Sequence, residues 1–164
     1  MKLVVGAALL YLCFCASALL AQVESSPPAA SQVENYSGMY TFLKEGEFVQ
    51  VTVEDAGRVT GFVSRYGDGE SDRGAFLDQF FKEGKLADNQ LAFTTETVHG
   101  VWFQFKGSCG RGEGKTPADD AYHVLKGTLT EFRTGADQKV TSRSREVSFK
   151  SFPQDVQSPP SARN

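Results

Sequence analysis

The segment EFVQVTVEDAGRVTGFVSR, residues 47–65, decides how the rest of the chain reads. In its first half Val49, Val51 and Val53 share one face of an extended chain, with Phe48, Gln50 and Thr52 on the other. That period of two belongs to a strand, whose successive side chains point to opposite sides. Asp55-Ala56-Gly57 supplies turn chemistry, and Arg58 to Arg65 resumes the extended pattern. The two halves are expected to fold back as an antiparallel hairpin.

The same rhythm runs outward in both directions. Tyr36 to Lys44 precedes the hairpin and stops at Glu45-Gly46. Gln90 to Val98, Val101 to Ser108, Tyr122 to Thr134 and Val140 to Phe152 follow it. Asp88-Asn89, His99-Gly100 and Gly135-Ala136-Asp137 mark turns. One segment has a different period: in Gly74 to Lys82, Phe76, Leu77, Phe80 and Phe81 recur at i, i+1, i+4 and i+5. That spacing predicts one short helix over 74–82. Short strands joined in sequence, with apolar residues on both faces, must close or stack, and closure also removes aggregation-prone edges. The expected fold is all-β, a single antiparallel up-and-down barrel of about seven or eight strands with that helix. A sandwich is the second choice.

The ends of the chain have another character. Residues 3–21 carry no charge and follow Lys2, the layout of a secretory signal peptide. Ala16-Ser17-Ala18 and Leu19-Leu20-Ala21 are the two candidate cleavage sites. Cys13 and Cys15 follow Leu12 and Phe14, not the small residue that precedes a lipid-modified cysteine. The protein is thus expected to be secreted or periplasmic, with no membrane attachment after cleavage. Residues 22–35 and 153–164 are polar and proline-bearing, and read as a flexible linker and a C-terminal tail around a barrel domain at 36–152. Asn35-Tyr36-Ser37 matches a glycosylation sequon, of consequence only in a eukaryotic secretory route.

Composition excludes several functions. The whole chain of 164 residues has a net charge of −3, which gives phosphate backbones nothing to follow, so nucleic acid is not an expected partner. Removing residues 1–21 takes away Lys2 and two of the three cysteines, leaving Cys109 without a partner for an internal disulfide. Its setting between Gly107, Gly110, Gly112 and Gly114 predicts an exposed loop, where an intermolecular bridge is one role open to it.

Within residues 36–62 the chain resembles the calycin barrels, the lipocalin and avidin type. Gly38-Met39-Tyr40 is similar to the Gly-x-Trp that opens those barrels. Phe48 to Thr52, followed by Gly57-Arg58-Val59-Thr60-Gly61-Phe62, resembles the avidin sequence of apolar strand, glycine turn and Leu-Thr-Gly-aromatic strand. The resemblance implies a ligand-binding barrel. Biotin binding of the avidin type would rest on several tryptophans and a ring of Asn, Ser, Thr and Tyr, whereas Tyr40 stands at the first aromatic position and Trp102 is the one tryptophan.

Other motifs fail on spacing. Gly114-Lys115-Thr116 resembles the end of a phosphate loop, but Cys109 stands where that loop needs glycine. Asp68, Glu70 and Asp72 alternate as in calcium loops, yet Arg73 and Gln79 occupy the positions of the obligatory glycine and glutamate, so a solvated loop is expected. Asp72 or Ser71 would cap the predicted helix. His99 and His123 are the two histidines, and neither has a second ligand at metal spacing. No metal and no cofactor is called for. No nucleophile occupies a characteristic turn, which favours a protein that is not an enzyme.

The last two strands are unusual. Thr141, Arg143, Arg145, Val147 and Phe149 alternate onto one face, as do Leu125, Gly127, Leu129, Glu131 and Arg133. If the apolar members point inward, Glu131 and Arg145 do too, near one mouth. They would bind an anion or carboxylate, or else form a salt-bridged pair closing the barrel end or have the arginine swept outward by a bulge, and these last two are together the better expectation. The leading function is binding of a small, partly apolar ligand, with Tyr40, Phe62, Phe93, Trp102, Phe103 and Phe105 as wall candidates, Arg145 as polar anchor and Glu131 beside it. The alternative is a solid-packed interaction or self-assembly module presenting Phe76, Phe80 and Phe81. An oligomer is compatible with both.

Overall fold

The computed structural model describes residues 34–154. The signal-peptide assignment, the cleavage sites, nearly all of the linker and most of the tail lie outside these residues. Eight strands follow one another: β1 (Gly38–Thr41), β2 (Phe48–Val53), β3 (Val59–Tyr66), β4 (Phe76–Ala87), β5 (Gln90–Thr95), β6 (Val101–Arg111), β7 (His123–Thr134) and β8 (Val140–Lys150). Each pairs antiparallel with the next, in the order β1 to β8. The first and last strands then meet: Tyr40 bridges Ser151, and the Phe152 amide donates to the Met39 carbonyl at 2.9 Å. The result is the curled antiparallel meander of a β-barrel.

The opening hairpin forms as its pattern requires. Val51 pairs with Gly61 and Val49 with Val63, and Val49, Val51 and Val63 are fully buried. A 3-10 turn over Asp55–Gly57 reverses the chain, with Ala56 and Gly57 at φ 56° and 73°. Gly61 lies where a Cβ would stand 1.9 Å from the Gln50 carbonyl oxygen, so β2 and β3 can close there only around glycine.

The helix expected over 74–82 does not exist. Phe76–Ala87 is strand β4, paired with β3 through Tyr66–Phe76 and Phe62–Phe80. Phe76 and Phe80 face outward, whereas Phe81 faces inward and stacks on Phe93 at 4.3 Å. Apolar residues on both faces of a strand had imitated a helical stripe. A bulge between Phe81 and Glu83 bends β4 and passes the sheet from one half of the curl to the other.

The interior is packed with aromatic rings. Phe93, Phe103, Phe105 and Phe149 are fully buried, along with Tyr36, Tyr40, Leu91, Leu125 and Leu129. Phe105 lies 5.3 Å from Phe93 and 5.8 Å from Phe149. Gly107 pairs with Gly127 across β6 and β7, and a Cβ on Gly107 would sit 2.7 Å from the Phe105 ring. Cys109 is not in a loop: it is part of β6, points inward and is buried. Deep burial pushes its thiol pKa up to about 12.

Candidate functional site

One end of the barrel is formed by the β1–β2, β3–β4 and β5–β6 loops and the β7–β8 turn. A cavity of about 170 Å³ opens there. Its apolar lining is Phe42, Leu43, Val101 and Phe103, and its polar lining is Lys44, Glu47, Arg65, Asp68, Glu131, Arg133 and Arg145, with Tyr66 between.

Strand periodicity positions these charges. Leu125, Leu129 and Phe149 are buried, and Glu131 and Arg145 share their inward phase. Arg145 Nη2 donates to Glu131 Oε2 at 3.2 Å, while Arg133 Nη2 donates to Glu131 Oε1 at 2.9 Å and to Asp68 Oδ2 at 2.6 Å. Glu131 thus joins two arginines, and Asp68 ties the β3–β4 loop to β7. The Arg133 guanidinium holds the Asp68 carboxyl below its usual range. Glu47, also buried, accepts from the Tyr66 and Lys44 amides at 3.1 Å each and so braces the β1–β2 loop.

Arg65 is a mouth residue that no motif in the sequence marks. It follows Val63 in the inward phase of β3 and is only 5% exposed. Its Nε donates to Gln79 Oε1 at 2.6 Å and its Nη1 to the Tyr66 carbonyl at 3.1 Å. Gln79 is itself fixed, its amide donating to the carbonyls of Val101 at 2.8 Å and Glu96 at 3.2 Å. The guanidinium lies 5.8 Å from the Phe103 ring centre. Arg65 Nη2 is buried and has no hydrogen-bond partner, and the same holds for Arg145 Nε.

The wall candidates divide three ways. Phe103, Glu131 and Arg145 line the mouth cavity. Tyr40, Phe93 and Phe105 belong to the packed centre beneath it, where the Tyr40 hydroxyl donates to the Tyr36 carbonyl at 2.7 Å. Phe62 and Trp102 do not face the interior, because both have the outward phase of their strands. Phe62 packs against Phe48 and Phe80, and Trp102 stacks on Phe132 at 5.0 Å.

The loop at 68–72 holds no helix cap, since no helix follows. Asp72 is buried and its Oδ2 stands 2.5 Å from Nδ1 of His99 in the β5–β6 loop. His123 lies at the opposite end, with Nε2 3.1 Å from a Glu34 oxygen that also accepts from Arg111 at 3.0 Å. Among the described residues no three His, Cys, Asp or Glu side chains converge as metal ligands would. A second hollow, of about 260 Å³, is an open depression over the outer face of β4, β5 and β6.

No family model matches the chain, and no curated protein matches it in sequence. Solved structures do resemble it. Rhizavidin, in its complex with biotin, superposes with a TM-score of 0.54 at 12% identity, covering 76% of this chain and 98% of that one. Bradavidin2 in complex with biotin gives 0.47 at 12% identity, with 70% and 95% covered. The fold is that of an avidin-like antiparallel β-barrel, as the resemblance in the first hairpin implied.

Proposed function

We propose that this protein is an exported binder of a small, partly apolar ligand, held at the barrel mouth by Phe103, Glu131 and Arg145. The observation that carries this reading is the 170 Å³ cavity, lined by Phe42 and Phe103 together with charged groups. Ligand sites pair apolar walls with a few placed polar groups in this way. The barrel centre is filled with side chains, so the ligand sits in the mouth and reaches no deeper than Phe103. Rhizavidin, which shares the barrel, is a biotin complex, and this supports a small-molecule reading. Native mass spectrometry of protein purified gently from its source tests it: a bound mass lost on denaturation is expected, and a bare chain counts against it. Export rests on residues 3–21, and secreted material should begin at Leu19 or Gln22.

One observation favours a second reading, self-association. Phe48, Phe62, Phe76, Phe80 and Tyr66 form a continuous aromatic patch on the outer face of β2, β3 and β4, where Phe76 is 48% and Phe80 58% exposed. Asp78 inside the patch accepts a hydrogen bond from the Ser64 hydroxyl at 2.5 Å, and an exposed apolar patch of this kind can meet its own copy about a two-fold axis. Sedimentation velocity should then show a dimer that Phe80→Ser converts to monomer. A wild-type monomer at high concentration removes this reading.

A further inference from the structure

We infer that the mouth takes an anionic ligand, a small carboxylate on a flat apolar body, and that Arg65 is the group that receives it. This rests on the ligand-binding reading above and names the ligand's chemistry.

A guanidinium carries five N–H donors, and burying one without an acceptor is costly. Arg65 is buried and its Nη2 has no partner, while Gln79 takes Nε and the Tyr66 carbonyl takes Nη1. Its nearest carboxylate, Asp68, lies 3.7 Å from Nη1 and spends its close contacts on Arg133. Arg145, which lines the same cavity, also has a buried donor without a partner, its Nε.

Lys44, Arg65, Arg133 and Arg145 share the mouth with Glu47, Asp68 and Glu131, and the buried Asp72 carboxyl also feels the Arg65 charge. Phe103, over which the Arg65 guanidinium sits, offers its ring to the ligand body. The restricted volume keeps that body to about one ring.

Arg65 is also held in place before any ligand arrives. The fully buried Gln79, fastened to two backbone carbonyls, grips Nε and fixes the plane of the guanidinium. Such preorganisation turns a long flexible side chain into a defined receptor.

The test uses benzoate and its neutral isostere benzamide, titrated into the full chain and followed by NMR at arginine Nε–H and at the Phe103 amide. Benzoate is expected to bind at least ten-fold more tightly than benzamide, from a charge-assisted bond of the ordinary range. Arg65→Gln should remove that difference, bringing benzoate down to the level of benzamide measured on the same variant. Because that variant disturbs Gln79, Arg145→Gln serves as the second, with a smaller loss for benzoate alone. Equal binding of the two probes overturns the anionic assignment and keeps the ligand site. Binding of neither overturns both readings. Inorganic phosphate competing more strongly than benzoate also overturns the carboxylate assignment, in favour of a phosphate-bearing ligand.

Discussion

Asp72, in the β3–β4 loop, meets His99, in the β5–β6 loop, with Oδ2 and Nδ1 2.5 Å apart at the mouth end of the barrel. Asp68 in the same loop is bonded to Arg133 on β7 at 2.6 Å. Residues 67–75 are therefore tied down by two carboxylates to two separate elements. Asp72 is held below its ordinary 3.8 chiefly by the His99 bond, and Asp68 by the Arg133 bond.

The sign of the pH dependence follows. A carboxyl whose folded pKa is depressed contributes stability that is fully present above its unfolded value, here near 3.8, and lost as pH falls through the folded value. Amide protection in residues 67–75 should be unchanged from pH 7 to 5 and fall below about pH 4, ahead of β6 and β7. Hydrogen exchange, corrected for its intrinsic pH dependence, measures this. Asp72→Asn should show the lower protection already at pH 7.

Glu131 accepts from Arg133 and Arg145 at once, so it holds two positive charges in check. Glu131→Gln should raise benzoate affinity several-fold and steepen its dependence on salt, since the mouth gains one unit of positive charge. Arg145→Gln acts the other way on affinity. It should cost stability only about 0–1 kcal/mol, because its pair is partly exposed and Glu131 keeps Arg133. Calorimetric titration at two salt concentrations and urea melts separate the two effects.

Period two made most of this architecture readable. Val49, Val51 and Val53 announced β2, and the phase of Leu129 and Phe149 carried Glu131 and Arg145 inward without any structural knowledge. The same phase argument places Arg65 beside Val63, but a lone charge ending a strand reads as solvent-facing, and its partner Gln79 lies in a segment whose apolar spacing fits a helix. That segment misled because its outer face is also aromatic. Once Phe76 and Phe80 point to solvent, hydrophobicity no longer marks the inside, and Phe76, Leu77, Phe80 and Phe81 fit a helix as well as a strand. Cys109 misled in the same sense: glycines flank it because β6 and β7 approach closely around Gly107 and Gly127, not because the chain is a loop.

Burial makes Cys109 chemically quiet. With its pKa pushed up to about 12, the thiolate fraction at pH 8 is on the order of a thousand-fold below that of an ordinary cysteine. Peptide-resolved alkylation with iodoacetamide at pH 8 should leave Cys109 unmodified in the native protein and label it fully in guanidinium. Labelling of the native protein at the rate of a free thiol would contradict its placement on the inner face of β6. The same burial argues against an intermolecular bridge at this residue.

Trp102 supplies the sharpest separation between wall and surface. It is the single tryptophan, and its ring lies parallel to Phe132 on the outer face of β6 and β7, while Phe103, one residue on, lines the mouth from inside. A ligand in the mouth has β6 between it and the indole. Benzoate at saturation should therefore change tryptophan emission by no more than a few per cent, a response fluorimetry reads directly. Trp102→Ala should cost roughly 1–2 kcal/mol from the lost stack and partial burial, and leave benzoate affinity within two-fold. Phe103→Leu should do the reverse in kind: the fold survives a swap of one large apolar side chain for another, but the ring that faces the Arg65 guanidinium is gone. Its benzoate affinity should fall several-fold while tryptophan emission stays at the wild-type maximum. Strong quenching of Trp102 by benzoate would instead put the ligand on the outer sheet and remove the mouth from consideration.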